Sequence, residues 1–347
     1  MENKEQQTIE EAIDPQVVYE KHEFVIDPRQ EPIRIDKFLL NRLENVTRNR
    51  IQKAIGDGWV SVNDKVIDKS NFKIKPHHVV RVTWKKNKRV DGPEAQPIDL
   101  DIRYEDNEVL ILHKPAGLVV HPGIGNHDGT LVNGLVHYLK GLPIVTGNER
   151  PGIVHRIDKN TTGLMVIAKT EEAMSHLAKQ FFDRTIERRY LALVWGDLKE
   201  DKGTIEGHID RHPNHRKLRH VFPDGEQGKH AITHYEVVQR FGYVTLVECK
   251  LETGRTHQIR VHFKHFGHPL FGDKEYGGDK ILKGTVFTKY KQFVNNCFKL
   301  MPEQALHAKS LGFEHPVTGE HIYLEAPLPQ NFQDLVEKWD KYTQGRF

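Results

Sequence analysis

Short strand-like segments outnumber helix-like segments in this chain, and the two do not alternate in the regular βαβ order. Apolar stretches that are continuous or alternate with polar residues predict strands at 109–112, 164–168, 190–195, 233–238 and 243–251. Thr170 is predicted to cap a helix whose apolar stripe comprises Met174, Leu177, Ala178, Phe181 and Phe182. The pattern favours an α+β fold with a mixed, largely antiparallel sheet, flanking helices and a central cleft.

A segment without apolar periodicity divides the 347 residues into two parts. Residues 85–97 contain Gly92, Pro93 and Pro97, which break helices and strands, so we expect a linker whose last part is 92–97. The α+β domain with the central cleft would then occupy 98–347.

Residues 31–91 are predicted to form a separate, small α+β module. Apolar residues follow a helical period at Ile35, Phe38, Leu39 and Leu43, and again at Ile51, Ala54 and Ile55. Thr47 is a candidate N-cap of the second helix, which Gly56 and Gly58 are expected to end. Alternating patterns predict strands at 59–63 and 79–84.

The overall charge of +3 conceals an uneven distribution along the chain. Residues 1–30 carry three basic and eight acidic side chains, and we expect this acidic tail to be disordered. Residues 31–91 carry fifteen basic and seven acidic side chains, which indicates a nucleic-acid partner or, alternatively, a solvated lysine-rich surface. The candidates for phosphate contacts are Arg34, Lys37, Arg48, Arg50 and Lys53.

Several classes of protein are excluded by what the sequence lacks. No apolar stretch approaches 18 residues and the acidic N-terminus resembles no secretory signal, so we expect no membrane association. Two cysteines cannot form a disulfide framework, which favours a reducing cytoplasm. The phosphate-binding loop, the GxGxxG fingerprint, the GxSxG elbow and HExxH are all missing. The best candidates for a metal site are His212 and His215, with His220, His230 and His234 nearby, although an RNA-facing loop is the favoured interpretation of this basic histidine cluster.

Three polar residues near glycine-containing turns are candidates for chemistry. Asp158 precedes the turn before the strand at 164–168, where it could face a cleft or bond only its own backbone in an Asx turn. Arg260 would lie in a helix capped by Thr256 and could hold Asp158 ionised, or form an ordinary structural ion pair. Tyr190 starts a strand and could enter the same cleft or belong to the core.

Seven motifs between residues 100 and 330 together resemble the RluA/RluD-type family of pseudouridine synthases, which modify ribosomal and some transfer RNA. They are KPAGLVVHPG (114–123), PGIVHRIDKNTTGLMVIAKT (151–170), RRYLALVWG (188–196), LETGRTHQIRVHF (251–263), GHPLFGD (267–273), ALHA (305–308) and HPVTGE (315–320). Residues 31–91 resemble an S4-like RNA-binding domain through IRIDKFLLNRL (33–43), TRNRIQKAI (47–55) and GWVSVNDKVI (58–67). Residues 279–303 look like an insertion relative to the shortest members of the family.

The resemblance implies roles for individual residues. Asp158 matches the catalytic aspartate, in HRIDKNTTG where the family usually has HRLDxxTSG. Arg260 matches the arginine that pairs with the aspartate, and Tyr190 matches a tyrosine that stacks on the target base and helps to remove the proton from C5. Arg156 matches a residue that contacts RNA where the base has flipped out, and Arg255 and His257 are further RNA-binding candidates.

The implied function is isomerisation of specific uridines to pseudouridine, most readily in large-subunit ribosomal RNA, with transfer RNA as the alternative substrate. The reaction needs no cofactor and no metal. A cytoplasmic monomer is expected, since no amphipathic seam predicts a second subunit. Two rival functions remain: a non-catalytic RNA-binding or ribosome-assembly factor, and a metal-dependent hydrolase that uses the histidine cluster.

Overall fold

The computed structural model describes residues 19–43, 48–85, 93–123, 125–139, 152–215, 217–225 and 227–344. The chain divides after residue 92 into two compact units. Within the described residues, no helix is both long enough and apolar enough to cross a membrane.

The smaller unit combines two helices with short strands. Its elements are β1 (Tyr19–Val25), β2 (Ile33–Arg34), α1 (Ile35–Arg42), α2 (Arg48–Gly56), β3 (Val60–Val62), β4 (Lys65–Val66), β5 (Lys73–Ile74) and β6 (Val79–Lys85). Strands β1, β6, β3 and β4 form one antiparallel sheet in that order, and β2 pairs with β5. All seven apolar residues predicted for the two helices are buried, because both helices turn that face onto the sheet's core.

The smaller unit starts earlier than the predicted boundary at residue 31. Strand β1 pairs along its whole length with β6, from Tyr19 opposite Lys85 to Val25 opposite Val79. The predicted disordered tail of residues 1–30 is therefore wrong for residues 19–30, because the alternating pattern of β1 extends the sheet. Residues 1–18 and the proposed cap Thr47 lie outside the described residues.

The larger unit contains ten strands and five helices among its described residues. Its strands are β7 (Asp101–Glu105), β8 (Val109–Lys114), β9 (Thr162–Ala168), β10 (Glu187–Trp195), β11 (Lys202–Arg211), β12 (Arg219–Phe222), β13 (Lys229–Arg240), β14 (Val244–Leu251), β15 (Leu306–Glu314) and β16 (His321–Glu325). Its helices are α3 (Leu131–Tyr138), α4 (Glu171–Asp183), α5 (Gln258–His265), α6 (Thr288–Leu300) and α7 (Gln330–Thr343).

One mixed sheet contains all ten strands, in the order β12, β11, β13, β14, β10, β15, β9, β8, β7, with β16 beside β15. Every pairing is antiparallel except that of β9 with β15, where Thr162 lies opposite His307 and Gly163 opposite Ala308. Gly163 has φ +116°, and a Cβ there would collide with the Ala308 backbone, so this close parallel contact requires glycine. The predicted mixed, largely antiparallel sheet is confirmed.

Helices cover both faces of the sheet. Leu110 and Leu112 pack with residues of α3 and α5, whereas Val109 and Ile111 point the other way and pack with α4. The cap of α4 is confirmed, since the Thr170 hydroxyl accepts a hydrogen bond from the Ala173 amide at 3.1 Å. Ala178 and Phe182 are exposed, so the predicted apolar stripe is wrong at these two positions.

The segment 279–303 contains α6 and contributes to a second core. Tyr290, Val294 and Cys297 of α6 are buried with Trp195 of β10 and Trp339 of α7. Both cysteines of the chain are buried and free, as expected for a protein without a disulfide framework. At the end of the segment, Glu303 accepts a hydrogen bond from Asn160 at 2.8 Å, so the segment also supports the loop that carries Asp158.

Candidate active site

A cavity of about 580 Å³ is lined by the loop before β9, part of β10, the turn after β14 and the start of α5. The fold brings together here six candidates that are separated by up to about a hundred residues in sequence: Arg156, Asp158, Tyr190, Arg255, His257 and Arg260.

Asp158 lies in the loop that leads into β9, with its side chain directed to Arg260. The carboxylate oxygen Oδ2 accepts a hydrogen bond from Arg260 Nη1 at 3.1 Å. The turn itself is closed by the backbone, since the Thr161 amide donates to the Asp158 carbonyl at 3.1 Å. The Asx-turn alternative for Asp158 is therefore wrong, and the carboxylate is available to the cavity.

Lys114, at the end of β8, holds the loop around Asp158 through hydrogen bonds to backbone carbonyls. Its side chain is completely buried, and Nζ donates to the carbonyls of Pro115, Leu118 and Lys159 at 2.7 to 2.9 Å. Burial lowers the pKa of Lys114 to about 7, and the charge of Asp158 acts in the opposite direction. The ammonium form is the one that supplies all three hydrogen bonds.

Arg260 is the third residue of α5 and joins three carboxylates. Its Nε and Nη2 bind the two oxygens of Asp273 at 2.7 and 2.8 Å, and Nη2 also donates to Glu275 at 2.6 Å. Burial acts to lower the pKa of Arg260, but the hydrogen bonds and charge of Asp273, with the charge of Asp158, raise it above its usual value. A permanent cation therefore lies against Asp158.

Helix α5 begins one residue later than the sequence predicted. Thr256 does not cap it; His257 occupies the cap position with φ +57°, in the left-handed region. The Gln258 side chain organises this turn instead, because Oε1 accepts from the Arg255 amide at 2.9 Å and from the Thr253 hydroxyl at 2.8 Å. Both contacts are local, and together they fix the turn that positions Arg260.

Tyr190 lies on β10 at a bulge in its pairing with β15. Bulges commonly re-aim side chains near active sites, and this one accompanies a ring that lines the cavity. Burial raises the pKa of the Tyr190 phenol; Arg188 acts to lower it and Asp158 to raise it. Tyr190 is thus a neutral phenol at physiological pH.

His257 lies beside Asp158 rather than at the exposed rim. Its Nε2 is 3.9 Å from Asp158 Oδ1, and its Nδ1 is hydrogen-bonded to the Tyr276 hydroxyl at 2.9 Å. The Tyr276 hydroxyl also accepts a hydrogen bond from the Arg219 amide at 2.9 Å, so it links the His257 ring to the backbone of β12. Burial lowers the pKa of His257, which favours the neutral ring.

The other two RNA-binding candidates of the cavity differ in their surroundings. Arg156 is exposed at the cavity, where it is accessible to a large ligand. Arg255 is half-buried, and its Nε donates to the His230 carbonyl of β13 at 3.1 Å. Arg156 is therefore the freer of the two cations.

The basic candidates of the smaller unit also fall into two groups. Arg34 and Arg48 both bind the buried carboxylate of Asp36, at 2.9 and 3.0 Å. Burial acts to raise the pKa of Asp36, but hydrogen bonds from these two arginines and from Gln52 outweigh it and hold the pKa at about 2. Lys37 and Lys53 are exposed, and the side chain of Arg50 lies outside the described residues.

Comparison with known proteins identifies the family. Residues 108–265 match the family model of RNA pseudouridylate synthase, and residues 33–80 match that of the S4 domain. An RNA pseudouridine synthase of Chlorobaculum parvum, described as uncharacterized, is 45% identical over 314 residues, which cover 89% of this chain and 94% of the relative. The chain belongs to the RNA pseudouridine synthase family. It is accordingly an RNA isomerase, and its smaller unit contains an S4 domain.

A second relative of this synthase has a named substrate. The ribosomal large subunit pseudouridine synthase D of Escherichia coli is 42% identical over 305 residues, which cover 88% of this chain and 90% of the relative. Among solved structures, the human RNA pseudouridylate synthase domain containing 4 shares the fold, with a TM-score of 0.54 at 24% identity over 69% of this chain and 92% of the human one.

The histidine cluster of the synthase lies on and near β11 to β13. The rings of His215 and His220 are 5.1 and 5.4 Å from that of His212. His230 and His234 instead bind Glu206 and Glu252, each at 2.6 Å. Within the described ranges, no three histidine, cysteine or acidic side chains are arranged to hold a metal ion.

Lys114 was not among the candidates from the sequence, and its replacement tests how firmly the Asp158 loop must be held. Lys114→Met should lower the free energy of unfolding by about 2–4 kcal/mol, because three buried carbonyls lose their donor. It should also lower kcat about tenfold or more with little change in RNA affinity. Urea unfolding and single-turnover kinetics measure the two effects. Lys309→Met, which removes a half-buried lysine far from this loop in sequence, is the matched control; equal effects from both variants would contradict the assignment.

Proposed function

We propose that this synthase converts specific uridines of large-subunit ribosomal RNA to pseudouridine, with Asp158 as the residue that acts at the sugar. The contact of Asp158 Oδ2 with the buried Arg260 is the observation that carries the assignment. A relative 42% identical over most of the chain is named as a ribosomal large subunit synthase, which supports this substrate.

The reaction breaks the bond between N1 of uracil and C1′ of ribose, turns the base, and joins C5 to C1′. A carboxylate assists the first step either as a nucleophile at C1′ or as a base at C2′. Arg260 engages Oδ2 of Asp158, which leaves Oδ1 for the substrate. The neutral His257 lies 3.9 Å from Oδ1 and adds no second cation that would bind the carboxylate more tightly.

The target uridine must leave its stack to reach a carboxylate that lines the cavity. Flipping a base out of RNA costs a few kcal/mol and is cheapest in a loop. We infer that Tyr190 stacks on the flipped uracil and that the exposed Arg156 contacts the RNA where the base has left. Since burial raises the pKa of Tyr190, stacking suits this residue better than removal of the C5 proton.

The exposed lysines of the S4 domain are proposed to contact RNA phosphates. Replacing Lys37 and Lys53 by glutamine should reduce the dependence of log affinity on log salt concentration by about 1.4, since each phosphate contact to single-stranded RNA contributes about 0.7. Both side chains are exposed, so the fold should be unaffected. Filter binding between 50 and 300 mM potassium chloride measures the slope. A double variant of Lys291 and Lys341, exposed lysines of the larger unit, is the control. An unchanged slope in the Lys37 and Lys53 variant would refute the contacts.

Chemical mapping of pseudouridines in total RNA tests the proposed substrate. RNA from cells with and without the gene is compared, and the gene encoding Asp158→Asn is returned as a control. We expect sites in large-subunit ribosomal RNA to disappear without the gene and to return only with the unsubstituted protein. Loss of sites solely in transfer RNA would refute the ribosomal substrate but leave the catalytic assignment standing.

A further inference from the structure

Five arginines line the cavity, and they differ in what balances their charge: Arg156, Arg184, Arg188, Arg255 and Arg260. Arg260 binds carboxylates, Arg184 lies 3.8 Å from Glu252, Arg255 donates to a carbonyl, and Arg156 is exposed to water. None of these arrangements is found for Arg188 among the described residues. It is only 8% exposed, and its buried Nε has no hydrogen-bond partner within the part of the chain that the structure describes.

The guanidinium of Arg188 is held in one place without being neutralised. It lies over the ring of Phe181, 5.3 Å from the ring centroid. Phe181 in turn stacks on His155, with ring centroids 4.8 Å apart. A Cβ at Gly254 would come within 2.9 Å of Arg188 Nη1, so the glycine in the turn after β14 leaves the guanidinium the space that it occupies.

A buried cation without a counter-charge is strongly unfavourable, and a guanidinium does not relieve this by losing its proton. The neighbouring Arg189 shows the usual arrangement on the opposite face of β10, where it binds Glu248 at 2.6 Å. No carboxylate of the described residues forms an ion pair with Arg188. An anion that enters the cavity with the substrate would supply the missing charge.

The position of Arg188 identifies that anion. Residues two apart on a strand face the same side and lie about 6.6 Å apart, so Arg188 is adjacent to Tyr190 on the cavity face. If Tyr190 stacks on the uracil and Asp158 meets the sugar, the group one sugar ring away from the base is a phosphate. Adjacent N–H groups of a guanidinium fit two phosphate oxygens at once.

We propose that Arg188 binds a phosphodiester attached to the flipped uridine. The synthase would thus recognise the extruded nucleotide by its backbone as well as by its base. The proposal rests on the proposed function, since it takes the cavity to be the place where the flipped uridine is held.

The test removes the charge from either partner of the contact. A synthetic RNA hairpin is built around a uridine identified by the mapping experiment, whether ribosomal or transfer RNA provides it. The phosphate on either side of this uridine is replaced in turn by an uncharged methylphosphonate. Affinities are measured for Asp158→Asn protein, which should not turn the hairpin over, with and without Arg188→Met.

Arg188→Met should weaken binding of the unmodified hairpin roughly ten- to a hundredfold. One of the two methylphosphonates should weaken binding by Arg188-containing protein to a similar extent, and should have no further effect on the methionine variant. Equal losses from that methylphosphonate in both proteins would overturn the proposal. If neither methylphosphonate weakens binding by Arg188-containing protein, the proposal fails whether or not the methionine variant folds.

Two further readouts separate this contact from a structural role. Arg188→Met should leave the protein as resistant to urea as before, or more so, because it replaces an uncompensated buried cation by an apolar chain. Arg189→Met, on the opposite face of the same strand, should bind both kinds of hairpin as the unsubstituted protein does. Failure of the proposed function would appear separately, as residual turnover by Asp158→Asn.

Discussion

Asp158→Asn should fold and bind RNA normally but lose catalysis by roughly 10³-fold or more, because an amide is neither a nucleophile nor a base at the sugar. Arg260 keeps its contacts with Asp273 and Glu275 in this variant, so the free energy of unfolding should change by only about 1 kcal/mol. Single-turnover release of tritium from RNA labelled at C5 of uridine measures the rate. Circular dichroism and filter binding establish that fold and affinity are retained.

The matched control for Asp158→Asn is Asp183→Asn, which makes the same chemical change in an exposed carboxylate of α4. It should release tritium at the unsubstituted rate. Substantial turnover by Asp158→Asn would remove Asp158 from the chemistry and leave the cavity without an assigned carboxylate.

Arg260→Met should abolish turnover and lower the free energy of unfolding by about 3–5 kcal/mol, the usual penalty for leaving a buried charge without its partner. Asp273 is completely buried and receives two of the guanidinium hydrogen bonds, so most of the loss should come from this residue. Arg260→Lys should be nearly as inactive, since an ammonium cannot bind Asp273 at two points and also reach Asp158. Urea unfolding and single-turnover kinetics measure the two effects.

A second substitution separates the contribution of Arg260 to stability from its effect on Asp158. Adding Asp273→Asn to Arg260→Met removes the unpaired buried charge, while the amide oxygen can still accept from the Glu275 and Tyr276 backbones. The double variant should recover much of the stability and none of the activity. Recovery of activity together with stability would show that Arg260 acts only through the fold.

The sequence predicted those features that depend on local pattern. Apolar periodicity located the helices of the smaller unit and the strands that surround the cavity, and Thr170 was correctly predicted as a cap. The Asp158 and Arg260 pair was predicted as a possibility, because an arginine among apolar residues needs an acidic partner. The prediction that Thr256 caps α5 was wrong, since the contacts of the Gln258 side chain and the left-handed conformation of His257 determine where the helix begins.

The remaining features depend on long-range contacts that no local pattern records. Asp273 and Glu275 become partners of Arg260 only because the chain folds back after α5. Lys114 ends a buried strand, and nothing around it in the sequence indicates that its three acceptors include the carbonyl of Lys159. Arg188 and Arg189 are consecutive residues of the same type. Their surroundings differ only in the folded protein, where their side chains lie on opposite faces of β10.

The amount of tritium released by the purified, unsubstituted protein is the most direct test of the account. Ribosomal RNA transcripts labelled at C5 of uridine are incubated with the protein, and the tritium released is compared with the number of pseudouridines found by chemical mapping. We expect one tritium for each pseudouridine, since joining C5 to C1′ displaces that hydrogen. Tight RNA binding with no tritium release from ribosomal or transfer RNA would contradict the account and indicate a non-catalytic RNA-binding protein built on this fold.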